Sequence, residues 1–230
     1  MLWKSLATSS SMRFLKVPLI VNLLLWCLTA ASVVIISIVY VMKCILYFEA
    51  VRREYYHPVR INFVFSPWIA CMFLLLGIPP RIASTIHPVI WCVLVAPLLV
   101  LSLKIHGQWP SGGERRLSNV ANPSIHLSLA GYFVSALLAA VVGWKEPGFL
   151  LWAVGCAHYM VVFVTLYQRL PTAELLPKEL HPIFFLFVAA PSAASISWKA
   201  ISGSFDRVSR VPYFIALFLY ASLVSHQDIF

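Results

Sequence analysis

No carboxylate stands in the middle of any long apolar run of this chain. The eight acidic residues (Glu49, Glu54, Glu114, Glu146, Glu174, Glu179, Asp206 and Asp228) fall between such runs or at their ends. Cation pores and proton-coupled carriers generally need an intramembrane carboxylate, so the absence weighs against both. Charge of either sign is scarce. Only 11% of residues are charged against 61% hydrophobic, and the mean hydropathy of +0.87 excludes an ordinary soluble domain. No HExxH, GxSxG or P-loop pattern occurs, so an enzyme reading has no constellation behind it. The five cysteines (Cys27, Cys44, Cys71, Cys92, Cys156) are odd in number and lack any metal-like spacing. They read as small hydrophobes, with no disulfide, metal or cofactor expected. Lys4, Arg13 and Lys16 precede an apolar run longer than a signal h-region, and no small-x-small cleavage site follows.

What the chain does have is apolar length. A bilayer core of about 30 Å needs about 20 apolar residues per helix. Runs near 18–42, 59–77, 87–105, 125–142, 149–167, 183–201 and 211–224 approach or exceed that length. They predict an all-α polytopic membrane protein forming a single transmembrane domain. The first run is long enough to tilt or to continue into the interface, and the last is short for a full crossing. Lysine and arginine in the connections number nine on one side and eight on the other. The densest clusters are Lys43, Arg52, Arg53 and Arg60, then Lys104, Arg115 and Arg116, which places that side in the cytoplasm. Most of the formal net charge of +9 is accounted for by loops on anionic lipid heads. The other reading of that charge is a positive field that concentrates permeating anions. Nothing in the pattern points to nucleic acid.

Every second run carries a proline beside a serine at its start or middle: Ser66-Pro67, Asn122-Pro123-Ser124 and Pro191-Ser192. Proline removes a backbone donor. Lipid satisfies no freed group, so a break belongs against protein or a water-filled path. Runs two, four and six are therefore expected to gather around one polar path. A faint repeat supports this, because His57-Pro58 and His181-Pro182 each close a charged segment before a run holding a second proline. Outer–inner helical hairpins repeated about every sixty residues follow from it, as in many transporters. The candidate path-lining residues are Ser66, Pro67, Asn122, Pro123, Ser124, His126, Ser128, Pro191, Ser192 and Ser195. Hydroxyls at such breaks offer the weak, multiple contacts that a permeating anion needs. Close helix packing is the plainer explanation for the small residues of run six. For His126 and His158 the plainer one is a structural histidine with a helix partner. Arg115-Arg116-Leu117-Ser118 suits a basophilic kinase and makes Ser118 a candidate phosphosite, although basic loops also simply rest on lipid.

Four stretches then match a known family: residues 43–60 (KCILYFEAVRREYYHPVR), 155–171 (GCAHYMVVFVTLYQRLP), 176–182 (LPKELHP) and 189–196 (AAPSAASI). They closely resemble plant slow-type anion channels, which group with bacterial tellurite-resistance and yeast malate-transport proteins. The likeness runs through nearly the whole chain. It implies a ten-helix subunit of five hairpins, inner odd-numbered helices around a pore, and homo- or heterotrimers. It also implies passive conduction of chloride, nitrate or related anions such as malate across the plasma membrane, under kinase control. Runs two, four and six would be the family's third, fifth and seventh helices. The family's first helix is reduced to residues 1–6 and its ninth and tenth have no counterpart, so a truncated subunit is expected. The alternatives are a non-conducting partner of complete channels and an anion or dicarboxylate carrier. Seven spans also fit a receptor, but no ligand-pocket signature accompanies them.

Overall fold

The computed structural model describes residues 4, 6, 18–79, 82, 85–110, 115–169 and 184–225, and all regular structure among them is helical. That is the solution available to apolar chain in lipid, where a helix satisfies its own backbone groups. Helix α1 (Leu19–Leu46) has 28 residues. At 1.5 Å per residue it is ~42 Å long, so it outruns the bilayer core. Its last turn carries Lys43 beyond the apolar stretch. Helix α2 (Phe48–Tyr56) follows after Tyr47, buries no residue and holds Glu49, Arg52, Arg53 and Glu54. Glu54 pairs with Lys43 of α1. The chain then bends by 113° and continues as a 3-10 turn (Arg60–Phe65) into α3 (Ser66–Leu76). At the rises of the two helix types these span ~28 Å together, nearly the apolar thickness.

The remaining helices are α4 (Pro88–His106), the single turn α5 (Leu117–Val120), α6 (Ile125–Val142), α7 (Lys145–Arg169), α8 (Leu186–Ser202) and α9 (Arg207–Ser225). Five helices among the described residues are long and apolar enough to cross a membrane, or six when the bent pair counts as one. Helix α8 has 17 residues. Helix α9 starts four residues before the apolar run 211–224 and reaches 19 residues, about 28 Å.

Burial sorts these helices. In α6, 78% of the apolar window is buried, against 0% in α1, 22% in α4, 28% in α7 and 17% in α9. Helix α6 is thus the axis, packed against α3, α4, α7 and α8. Leu129, Phe133, Val134, Ala136 and Leu138 fill its core at 1% exposure or less. Close approach to α7 rests on Gly155, where an added Cβ would lie 2.9 Å from the Phe133 ring.

The structure corrects the weight given to proline. Pro67 sits in the first turn of α3, where its missing donor costs nothing. Pro123 lies just before α6, whose N-cap is Ser124. Pro191 is inside α8, but Pro97 and Pro212 are equally inside α4 and α9. Proline alone does not mark the inner helices.

A different repeat does. Trp26 Nε1 of α1 donates to Leu74 O of α3 (2.9 Å), Trp91 Nε1 of α4 to Ser135 O of α6 (3.0 Å), and Trp152 Nε1 of α7 to Ala194 O of α8 (2.9 Å). Donors and acceptors both recur roughly every sixty residues, and each bond joins one long helix to the next inner one. The acceptor helices also end alike, on Gly77, Gly143 and Gly203. The last two take positive φ (95° and 84°), which suits glycine.

Candidate anion-path site

The 3-10 turn that leads into α3 and the N-cap of α6 meet in a polar knot. Asn62, in the 3-10 turn, donates its Nδ2 to Ser124 Oγ (2.9 Å) and to Pro58 O (3.2 Å). Asn122 Nδ2 donates to Pro58 O (3.2 Å) and Val120 O (2.7 Å), while its Oδ1 accepts from Ser124 N (3.0 Å) and from the Ser124 hydroxyl. Asn62 and Ser124 are buried, at 1% and 0% exposure. In a membrane such groups persist only when they satisfy one another. The knot therefore pins the starts of two inner helices.

One turn further into α6 lies a second network. Ser128 Oγ donates to Ile125 O (2.7 Å), which uses its only proton. His106 Nε2, 3.2 Å from Ser128 Oγ, must then be the N–H donor, and His106 Nδ1 accepts from the Tyr132 hydroxyl at 3.1 Å. The end of α4 is thereby fixed to α6 through the His106 ring. His158 of α7 donates Nδ1–H to Val154 O (2.9 Å) and stacks on Tyr132, with ring centroids 5.6 Å apart.

His126 is fully buried, its Nδ1–H reaching Pro123 O at 3.2 Å and its ring lying against Phe187 of α8 at 4.3 Å. Its Nε2 has no hydrogen-bond partner among the described residues. Ser195 of α8 donates to Ser209 O of α9 (2.8 Å), and both serines are buried. The loop between these helices is closed by Asp206. Its carboxylate accepts from Ser209 N (2.9 Å) and from Trp198 Nε1 (3.0 Å to each oxygen). The Ser209 amide first, then the Trp198 indole, hold the Asp206 carboxyl below its ordinary range. Ser66 and Ser192 are half-buried, Pro67 is exposed and Pro191 buried.

The predicted positions thus separate. Asn122 and Ser124 come together in the knot, Ser128 joins the His106 network, and Ser195 joins α8 to α9. Ser66 and Ser192 keep accessible surface on α3 and α8, and neither hydroxyl has a hydrogen-bond partner among the described residues. Asn62, His106 and Tyr132 were not singled out from the sequence. A lone amide three residues into the apolar run 59–77 was the available signal for Asn62.

Beside the knot, on the side carrying Lys43, Arg52, Arg53 and Lys104, lies a cavity of about 220 Å³ lined by Tyr55, Asn62, Trp109, Arg115 and Asn119, among others. Arg115 donates to Tyr55 O (2.9 Å) and stacks over the Tyr55 ring at 4.5 Å, with the Lys104 ammonium 5.3 Å from the same ring. Among the described residues no three His, Cys, Asp or Glu side chains gather as metal ligands, and the cysteines are free thiols.

Comparison with known proteins decides the family. The family model for voltage-dependent anion channels matches residues 1–225. The chain belongs to that family. It is 57% identical over 232 residues to the guard cell S-type anion channel SLAC1 of Arabidopsis thaliana, and 56% identical over 229 residues to the S-type anion channel SLAH3 of the same plant. Each alignment covers 100% of this chain, but 42% and 36% of the respective relative. The chain therefore spans well under half the length of these channels. A tellurite resistance protein TehA homolog of Haemophilus influenzae is 26% identical over 83% of the chain, which fits the wider superfamily. As a member of this family, with five or six apolar helices long enough to cross a bilayer among the described residues, the chain is a multi-pass membrane protein.

Proposed function

We propose that the chain forms part of an anion pathway for chloride, nitrate and similar anions across the plasma membrane, with α3, α6 and α8 around the path and subunits assembling as homo- or heterotrimers. The observation that carries this reading is the sorting of the helices. The long helices α1, α4, α7 and α9 expose most of their apolar surface, while α6 is buried and latched into the bundle. Among the described residues no acid is buried, and the cavity beside the knot is lined by Arg115, which favours anions over cations. The plant relatives, all S-type anion channels, point the same way.

On this reading Ser66 and Ser192, the accessible hydroxyls at proline positions, face the path. Asn122, Ser124, Ser128, His126 and Ser195 set the helices that flank it. The test is patch recording of the full-length transcript product in giant liposomes, with chloride or nitrate replaced by a large organic anion. Anion-selective single-channel steps are expected, and Ser66→Cys and Ser192→Cys should make them sensitive to a charged thiol reagent. Flux at carrier turnover without steps, or no current even when a relative is reconstituted with it, would overturn the channel reading. Insensitivity of both cysteine variants would overturn the lining.

A further inference from the structure

Ser118 is exposed on α5, a single turn held from both sides. Leu117 is buried and its amide donates to Trp109 O (3.3 Å), while Ala121 N returns to Leu117 O (2.9 Å). Before it, Arg115 is clasped by Tyr55 and Arg116 is exposed. After it, Asn122 enters the knot that ties Pro58 to Ser124. The turn thus connects a cationic surface directly to the starts of α3 and α6. The Ser118 hydroxyl itself reaches only Asn119 Oδ1, at 3.3 Å, so little holds it.

We propose that Ser118 is a phosphorylation site, and that its phosphate draws Arg115 away from Tyr55 and so releases α2 from the α5–α6 connection. The inference rests on the cytoplasmic placement of this end but not on conduction. The donor is ATP and the catalyst a basophilic serine kinase. The Ser118 oxygen attacks the γ-phosphorus, the bond to the bridging β–γ oxygen breaks, ADP leaves, and the hydroxyl proton passes to a base on the kinase. The product adds roughly −1.5 to −2 charge at pH 7 three residues from Arg115. A guanidinium–phosphate pair is charged on both sides and often bidentate, which makes it stronger than a single bond from the guanidinium to a neutral acceptor. Tyr55 O is such a neutral acceptor, so the clasp is the bond that gives way. Arg116, already in water, has no comparable bond to lose.

The experiment uses the purified chain in nanodiscs with ATP and a basophilic kinase, read by phosphopeptide mapping and by amide deuterium exchange. One phosphate at Ser118 is expected, lost in Ser118→Ala, together with exchange at least threefold faster over residues 48–62. Arg115→Lys keeps the charge but not the fork, and should show the faster exchange without phosphate. Absence of phosphate from Ser118 overturns the site. Phosphate at Ser118 with unchanged exchange overturns the release. Neither readout depends on current, so failure here is distinct from failure of the anion pathway.

Discussion

Replacing Trp152 by phenylalanine keeps an aromatic ring between α7 and α8 and deletes one donor, the indole N–H that reaches Ala194 O at 2.9 Å. Ala194 O loses a partner but is not orphaned, since it also lies 3.1 Å from the Ser197 hydroxyl. The cost is therefore below that of a buried unsatisfied group. Interhelical hydrogen bonds in membranes average about 0.6 kcal/mol and reach about 1.7 kcal/mol. The smaller ring also leaves a gap beside Trp198, whose ring centroid is 4.6 Å away. A total near 1 kcal/mol is expected, about a fivefold fall in the folded-to-unfolded ratio. Reversible SDS titration in bicelles, followed by circular dichroism, measures it. Trp91→Phe, which removes the corresponding bond to Ser135 O, should fall in the same range. Trp144→Phe is the control, because the Trp144 indole N–H has no hydrogen-bond partner among the described residues. If Trp144→Phe shifts the midpoint as far as Trp152→Phe, or Trp152→Phe shifts nothing, the latches contribute no stability and the reasoning fails.

Two further outcomes follow from the same geometry. Asn62→Ala removes the donor to the buried Ser124 Oγ, while Pro58 O keeps Asn122 Nδ2, so it should destabilise by about 1–3 kcal/mol. Asn62→Asp, which replaces the donating amide by an oxygen, should be at least as harmful in the same titration, and a neutral effect of either would remove the knot. The Asp206 carboxyl is held low by the Ser209 amide and the Trp198 indole. A depressed carboxylate stabilises the folded state at pH above its unfolded value and loses that contribution as pH falls through the folded value. Protection of the α8–α9 loop against proteolysis should thus be flat above pH 3.8 and decline only below it. Asp206→Asn should lack that decline, and an identical acid profile in both proteins would refute the assignment.

The membrane class and the helices were legible because backbone in lipid must bond to itself, and long apolar runs such as 125–142 leave no other choice. An inner place for run four, as one of three such runs, was expected from Asn122-Pro123-Ser124 at its start, but its role as the buried axis was not. What those side chains bond to was not legible. Ser124 depends on Asn62, 62 residues earlier, and Ser195 on Ser209, 14 residues later, in different helices. No local pattern carries such a pairing. Proline drew too much weight because its effect depends on position within the turn, as Pro67 and Pro97 show. The tryptophans drew too little, since an indole in an apolar run reads as bulk until the carbonyl opposite is known.

Because Trp26, Trp91 and Trp152 each bond to the inner helix that follows, no such bond among the described residues reaches back across a finished pair. A hairpin emerging from the insertion machinery can close its own fastening before the next one is made. Assembly is then modular in time as well as in space: a fault in one pair leaves earlier pairs intact. The Asn62–Ser124 knot, which joins the first pair to the second, becomes the step that commits them to a shared axis.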